Sequence, residues 1–215
     1  VLEGLDGSGK ATQTALLAQA LAAKGIPVRA VSFPAYGSPS SALVKMYLSG
    51  EFGTRPGDVN PYAASAFYAV DRYASFKTDW GRDWQADGVV VADRYTTSNA
   101  IHQCAKLPPG EWEAYANWLE DFEYAKMGIP KPDLVIYLDV DPAVSQQLMQ
   151  QRYGGDDARK DIHERDVAYL AAARQAALWC VEAFGWRYLP CSDTKQMQDR
   201  LDIAKKIMQI VEDVL

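Results

Sequence analysis

The chain is short of several things, and each shortage narrows what it can be. Positive charge is in deficit: 22 Lys and Arg face 28 Asp and Glu over 215 residues, a formal net charge of −6. That balance lacks the basic footprint of a duplex nucleic-acid binder, so no nucleic-acid partner is expected, while local basic clusters can still hold small anions. Long apolar runs are missing, and so is a signal-peptide pattern, so no membrane partner is expected. The three cysteines, Cys104, Cys180 and Cys191, are odd in number and show neither CxxC nor Cys/His ligand spacing. A zinc site is therefore not expected, and the thiols read as reduced and structural in a cytoplasmic protein. Linkers, repeats and low-complexity segments are absent. The chain also opens inside an apolar run without a Met, so a few residues before Val1 are expected.

What is present suits a single domain over 1–215: 48% hydrophobic residues and 23% charged ones, enough for a sizeable core. Apolar runs alternate with helical patterns along the whole length. Strands are expected at 1–3, 28–33, 89–92, 134–140 and 187–190, rich in Val, Ile and Leu with little polar alternation, the mark of strands buried on both faces. Helices are expected over 12–24, from Asn60-Pro61 to about residue 79, over 111–127, from Asp141-Pro142 onward, over 162–184 and over about 194–215. The alternation predicts an α/β fold, a parallel sheet with right-handed crossovers, whose ligands bind beyond the carboxyl ends of the strands.

The first of those strand ends is the most informative. Gly4-Leu5-Asp6-Gly7-Ser8-Gly9-Lys10 joins a strand to a helix with the Gly-x-x-x-x-Gly-Lys spacing of a phosphate-binding loop, the P-loop. Glycines let several backbone N–H groups turn into one hollow, the helix adds its free N–H groups and positive dipole end, and Lys10 adds a full charge. The expected ligands are the β- and γ-phosphates of a nucleoside triphosphate. Ala11 stands where the pattern has Ser or Thr for Mg²⁺, with Thr12 one residue late, so magnesium must be held through waters and carboxylates. The bland alternative is an ordinary Gly-rich turn.

Four further clusters read two ways. Asp93-Arg94 ends a buried strand and is either a structural ion pair or a Mg²⁺ ligand, Asp93, beside a phosphate clamp, Arg94. Tyr68 and Arg72 share a helix face and either pack in an amphipathic helix or stack on a base and bond its carbonyl. Phe33-Pro34-Ala35-Tyr36 is either a plain turn or a contact with an acceptor nucleotide. The loop beginning Tyr153-Gly154-Gly155, with Arg152, Arg159 and Lys160 on its rims, is either a solvated charged loop or a basic flap over ATP.

Taken in order, these residues resemble the thymidylate kinases, enzymes that move the γ-phosphoryl of ATP to dTMP. The resemblance runs over nearly the whole chain through Gly4–Lys10, Phe33-Pro34, Tyr68 to Arg72, Asp93-Arg94-Tyr95 and the basic loop. It implies the P-loop nucleoside monophosphate kinase fold, a five-stranded parallel sheet flanked by helices, a mobile lid at about 152–165, ATP and Mg²⁺ as cofactors, and a homodimer. It further implies that Gly4, Leu5, Asp6, Gly7, Ser8, Gly9, Lys10, Ala11 and Thr12 form the ATP phosphate loop, with Arg152 near ATP at the lid hinge. By the same resemblance Asp6 is the implied acid that orients the acceptor phosphate and magnesium. Tyr36 and Arg94 are implied phosphate contacts, Tyr68 and Arg72 thymine contacts, and Asn99 a pyrimidine-edge contact; Phe33 lies with them. His102 stands where many relatives carry Tyr or Phe against the 2′ carbon. Histidine can bond a 2′-OH, so selection against ribonucleotides is open. Residues 5–8 carry no base, which points to charge supplied by Arg159 and Lys160. Two rivals stay in play: another nucleotide kinase of the same fold, with dUMP an obvious substrate, and a nucleotide-binding regulatory module.

Overall fold

In the computed structural model the described residues are 1–153, 161–164 and 166–215, without the side chains of 149 and 151–153. The strands are β1 (Leu2–Glu3), β2 (Val28–Ser32), β3 (Val89–Asp93), β4 (Ile136–Asp139) and β5 (Arg187–Pro190). The helices are α1 (Lys10–Ala23), α2 (Ala42–Ser49), α3 (Pro61–Ser75), α4 (Gly81–Gln85), α5 (Thr96–Cys104), α6 (Trp112–Glu120), α7 (Pro142–Tyr153), α8 (Val167–Phe184) and α9 (Arg200–Glu212). The sheet is parallel throughout, in the order β2-β3-β1-β4-β5. Chain order reverses at β1, so the crevice at the carboxyl ends of β1 and β3 is where such a sheet takes its ligands. The loops after both strands carry the motifs read from the sequence.

The expectation of strands buried on both faces holds for β1 and β4 and fails at the two edges, where β2 and β5 expose most of their residues. An edge strand is covered on fewer sides, and Arg29 and Ser32 of β2 and Arg187 and Tyr188 of β5 face water. The core on one side of the sheet joins Leu17 and Leu21 of α1 to Ile203, Ile207 and Val211 of α9. On the other, Ile101 and Cys104 of α5 meet Tyr115 and Leu119 of α6 and Ala173, Ala176, Ala177 and Cys180 of α8. All three cysteines are buried and free.

Helix boundaries shift for local reasons. The helix expected over 162–184 begins at Val167, because the Asp166 side chain accepts from Tyr169 N at 2.9 Å and caps it there. Residues 161–164 instead form a turn, in which Asp161 accepts from the amides of His163 and Glu164. The last helix starts at Arg200, capped by Asp199, after an Asp193 turn. The expected 111–127 and 60–79 helices each run on into a π-turn, Asp121–Lys126 and Phe76–Trp80. Helices α2 and α5 were not expected. Most of the anticipated lid, with Arg159 and Lys160, lies outside the described residues, as does the Arg152 side chain. No described helix is long and apolar enough to cross a membrane.

Candidate active site

A cavity of about 1240 Å³ opens at the carboxyl ends of β1 and β3. A second, about 610 Å³, lies near the opposite strand ends among Val, Leu and Trp side chains and gathers no comparable polar cluster.

The phosphate loop forms one wall. Gly7 and Gly9 sit at φ 80° and 82°, and Gly4 at 155°, conformations that glycine supplies without strain. A Cβ at Gly4 would lie 2.5 Å from Ser8 Oγ and 2.7 Å from the Leu138 carbonyl, so the position admits no side chain. Ser145 Oγ donates to the Asp6 carbonyl at 2.5 Å and buttresses the loop from α7. Asp6, Gly7, Gly9, Lys10, Ala11 and Thr12 line the cavity; Leu5 and Ser8 face a smaller one behind the loop. Lys10 Nζ donates to the Leu5 carbonyl at 2.9 Å, and burial and Arg94 lower its pKa to about 8.

The opposite wall begins at Arg94. Its φ of 64° is left-handed, a strain on the order of 1–3 kcal/mol that turns the chain out of β3. The turn aims the guanidinium back over the phosphate loop, where Nη2 donates to Asp6 Oδ1 at 2.5 Å. Burial opposes the Asp6 charge, but Arg94 and Lys10 outweigh it and hold this carboxyl well below the usual carboxylate range. Nη1 donates to Ser98 Oγ at 3.3 Å, and Ser98 donates in turn to Glu3. Glu3 is fully buried, and desolvation pushes it up to about 7.

Behind this lies a polar nest drawn from three elements, α3, α5 and the π-turn after α6. Arg72 Nε and Nη2 grip both oxygens of Glu123 at 2.7 and 2.5 Å, a bidentate pair of which neither partner is more than 2% exposed. Thr96 Oγ1 and Asn99 Nδ2 also donate to Glu123, at 3.0 and 3.4 Å. Tyr68 packs edge-on to Tyr47 and borders the cavity. His102 Nε2 lies 3.3 Å from Arg94 Nη1. Tyr36 is 53% exposed at the rim, on a loop braced by Asp71, which accepts from Ala35 N and Ser40 Oγ. Phe33 is mainly core, tilted on Tyr95 at 5.8 Å, and touches the cavity from below; the Phe33–Pro34 peptide is cis.

The structure therefore brings Asp6, Lys10, Tyr36, Tyr68, Arg72, Asp93, Arg94, Asn99 and His102 to one cavity. A model of the thymidylate kinase family matches residues 2–199. This chain belongs to the thymidylate kinase family. The thymidylate kinase of Mycobacterium tuberculosis is 34% identical over 187 residues, 86% of this chain and 86% of that protein. A probable thymidylate kinase of Staphylothermus marinus is 31% identical over 211 residues, 97% and 94% of the two chains. The solved structure of thymidylate kinase from Candida albicans matches with a TM-score of 0.71 at 20% identity, covering 99% of this chain and 89% of that one, a likeness of fold.

Sequence reasoning missed several residues that line the cavity or back its walls. Glu3 ends a buried strand as Asp93 does, and the rule that singled out Asp93 would have found it. Gln103 lies four residues after Asn99, borders the cavity, and leaves both amide atoms without a partner among the described residues although fully buried. Glu123 carried no signal, because the π-turn decides which way it faces. His163 lies in the anticipated lid but was not singled out, Met197 comes from a loop and Arg200 from the first turn of α9, and neither of the last two shows a motif.

The donor set suits a hard cation. Among the described residues no group of three or more His, Cys, Asp or Glu forms a metal cluster. Asp6 is nonetheless held anionic, with Asp93 lining the same cavity. One or two carboxylates plus substrate phosphates are what magnesium takes.

Proposed function

We propose that this protein transfers the γ-phosphoryl group of ATP to dTMP, giving dTDP and ADP. The observation that carries the reading is two cationic grips facing one cavity: Lys10 on the phosphate loop and Arg94 on the strand end, with Asp6 between them. Two phosphate-bearing ligands meeting end to end need that arrangement, since positioning and charge neutralisation do nearly all the work of phosphoryl transfer.

The loop amides of 4–10, with Lys10, hold the β- and γ-phosphates, and Ala11 and Thr12 open the helix whose dipole adds to them. Arg94 and Tyr36 hold the acceptor phosphate, and Asp6 orients the Arg94 fork. Tyr68 stacks on the base. Arg72, held rigid by Glu123, and the amides of Asn99 and Gln103 meet the base edge. His102 faces the sugar. Asp6 and Asp93 would hold Mg²⁺, which when bound neutralises phosphate oxygens. Arg152, Arg159 and Lys160 add charge at the donor side. If alanine at both Arg159 and Lys160 leaves kcat within about threefold, that last assignment fails.

A homodimer accords with the exposed Tyr62, Val70 and Tyr73 on α3, Tyr62 lying against Trp118 of α6 at 4.6 Å. Free cysteines and nucleotide substrates accord with a cytoplasmic enzyme.

A panel of nucleoside monophosphates with ATP tests the reading. The highest kcat/KM is expected for dTMP, with dUMP lower by about 10–200-fold, the worth of one methyl. Nucleotide binding with no diphosphate formed from any acceptor would instead mark a regulatory module.

A further inference from the structure

A polar chain reaches the acceptor side of the cavity from the flank of the molecule, and the phosphoryl-transfer reading makes no use of it. Lys106, just after α5, donates to the Val59 carbonyl at 3.1 Å and to Tyr47 Oη at 2.8 Å. Tyr47 is fully buried on α2, and its hydroxyl lies 2.8 Å from His163 Nε2. The protons along this chain can be assigned. The Val59 carbonyl only accepts, so one Lys106 N–H goes there and another goes to Tyr47. As the ammonium, Lys106 has three N–H bonds and no lone pair, so toward Tyr47 it can only donate. The Tyr47 proton is then directed at His163 Nε2, which must accept. His163 is thereby a neutral imidazole with its hydrogen on Nδ1, and Nδ1 has no hydrogen-bond partner among the described residues.

The same turn is fastened at a second point. Ile162 is buried in an apolar cluster with Tyr47, Val59 and Ala64, and its amide donates to the Leu48 carbonyl at 3.4 Å. His163 itself stacks on His102, with ring centroids 5.7 Å apart and planes 11° from parallel. Both rings line the cavity, and His102 touches Arg94.

We propose that Lys106 and Tyr47 are positioning residues, which hold the 161–164 turn against α2 and present the Nδ1–H of His163 to an oxygen of the acceptor nucleotide. The proposal rests on the acceptor reading of this cavity and adds to it a wall residue and the two groups that aim it. Tyr47→Phe keeps the ring and removes the relay. It is expected to raise KM for dTMP about 5- to 10-fold while KM for ATP stays within about twofold, the loss of one directed hydrogen bond. Hydrogen exchange at the amides of 162–164 is expected to quicken about tenfold. Lys106→Met acts in the same direction and less strongly, and Lys106→Arg, which restores the donor, returns both readouts toward wild type.

Unchanged exchange and unchanged dTMP KM in a folded Tyr47→Phe protein would overturn the proposal. Were that variant to misfold, Lys106→Met decides by the same two readouts, because Lys106 is only half-buried. A fold-wide rise in exchange, with both KM values altered equally, would also overturn it, since that is what a merely structural role produces. A wild-type enzyme inactive on every pyrimidine nucleotide, with exchange at 162–164 still quickened by Tyr47→Phe, would sink the acceptor reading and leave the latch standing.

Discussion

On the Lys10 side of the cavity the walls are largely backbone. Seven consecutive residues, 4–10, supply the turn, the amides and the charge, and glycines at positive φ fix their shape. On the Arg94 side the walls are side chains, drawn from α3, α5 and the 161–164 turn and braced from behind by the π-turn after α6. Position there comes from mutual bonding: Arg72 on Glu123, Arg94 on Asp6, His163 on Tyr47. In the proposed reading, the backbone-built half binds what every nucleotide shares, its phosphates. In that reading the side-chain-built half discriminates, because its groups can change without altering the backbone turn that grips the phosphates.

The sharpest way to break this division is to remove one cation from each half. Arg94→Ala is expected to lower kcat/KM for dTMP about 10²–10³-fold, the loss of a bidentate charged grip, while KM for ATP moves less than about threefold. By contrast, Lys10→Ala is expected to weaken ATP use most. Steady-state kinetics with each substrate varied in turn checks both, and equal damage to the two substrates from either variant would dissolve the distinction.

Stability separates the halves next. Glu123→Ala leaves the Arg72 guanidinium buried and unpaired, so unfolding in denaturant is expected to show a loss of about 3–5 kcal/mol. Lys10→Met removes a charge that burial already disfavours and is expected to change stability by no more than about 1 kcal/mol. Comparable losses would mean that the phosphate loop, too, is held together by its side chains.

The same contrast explains what could be read without coordinates. The phosphate loop is contiguous, so its spacing is visible in the chain, and the alternation of apolar runs is enough for the parallel sheet. Arg94 was legible because a charge at the end of a buried strand demands a partner. Which partner was not legible, since Asp6 lies 88 residues away and only the left-handed turn at Arg94 brings the two together. Glu123 shows the limit. A π-turn shifts helical phase within one stretch of residues, and no regular period places its carboxylate against Arg72. Edge-strand exposure was missed for a related reason: strand order, which decides the edges, is set by crossovers and not by composition.

A last expected effect is on pH dependence in acid, and its histidine part belongs to one half alone. The chain has two histidines, and both lie on the acceptor side. Burial, reinforced for His163 by Lys106, lowers the His163 pKa to about 3, and burial with Arg94 takes His102 well below its ordinary value. Below about pH 6.5 the unfolded chain takes protons that the folded imidazoles refuse. Their contribution to stability is therefore fully present above that pH and is lost as pH falls toward 3, at most about 1.4 kcal/mol per pH unit for each ring. Glu3 acts in the opposite sense. Desolvation raises it to about 7, so the folded state gains its proton first and is favoured as pH falls from about 7 to 4.5. The wild-type curve mixes the two, and only a difference between variants separates them. His163→Phe keeps a ring in the stack and loses the nitrogen, so its stability is expected to fall less steeply than wild type between pH 6 and 4, by close to one proton per molecule. Parallel curves over that range would mean that His163 carries a second proton in the fold. Nε2 could not then accept from Tyr47, and the relay that aims this ring would be misassigned.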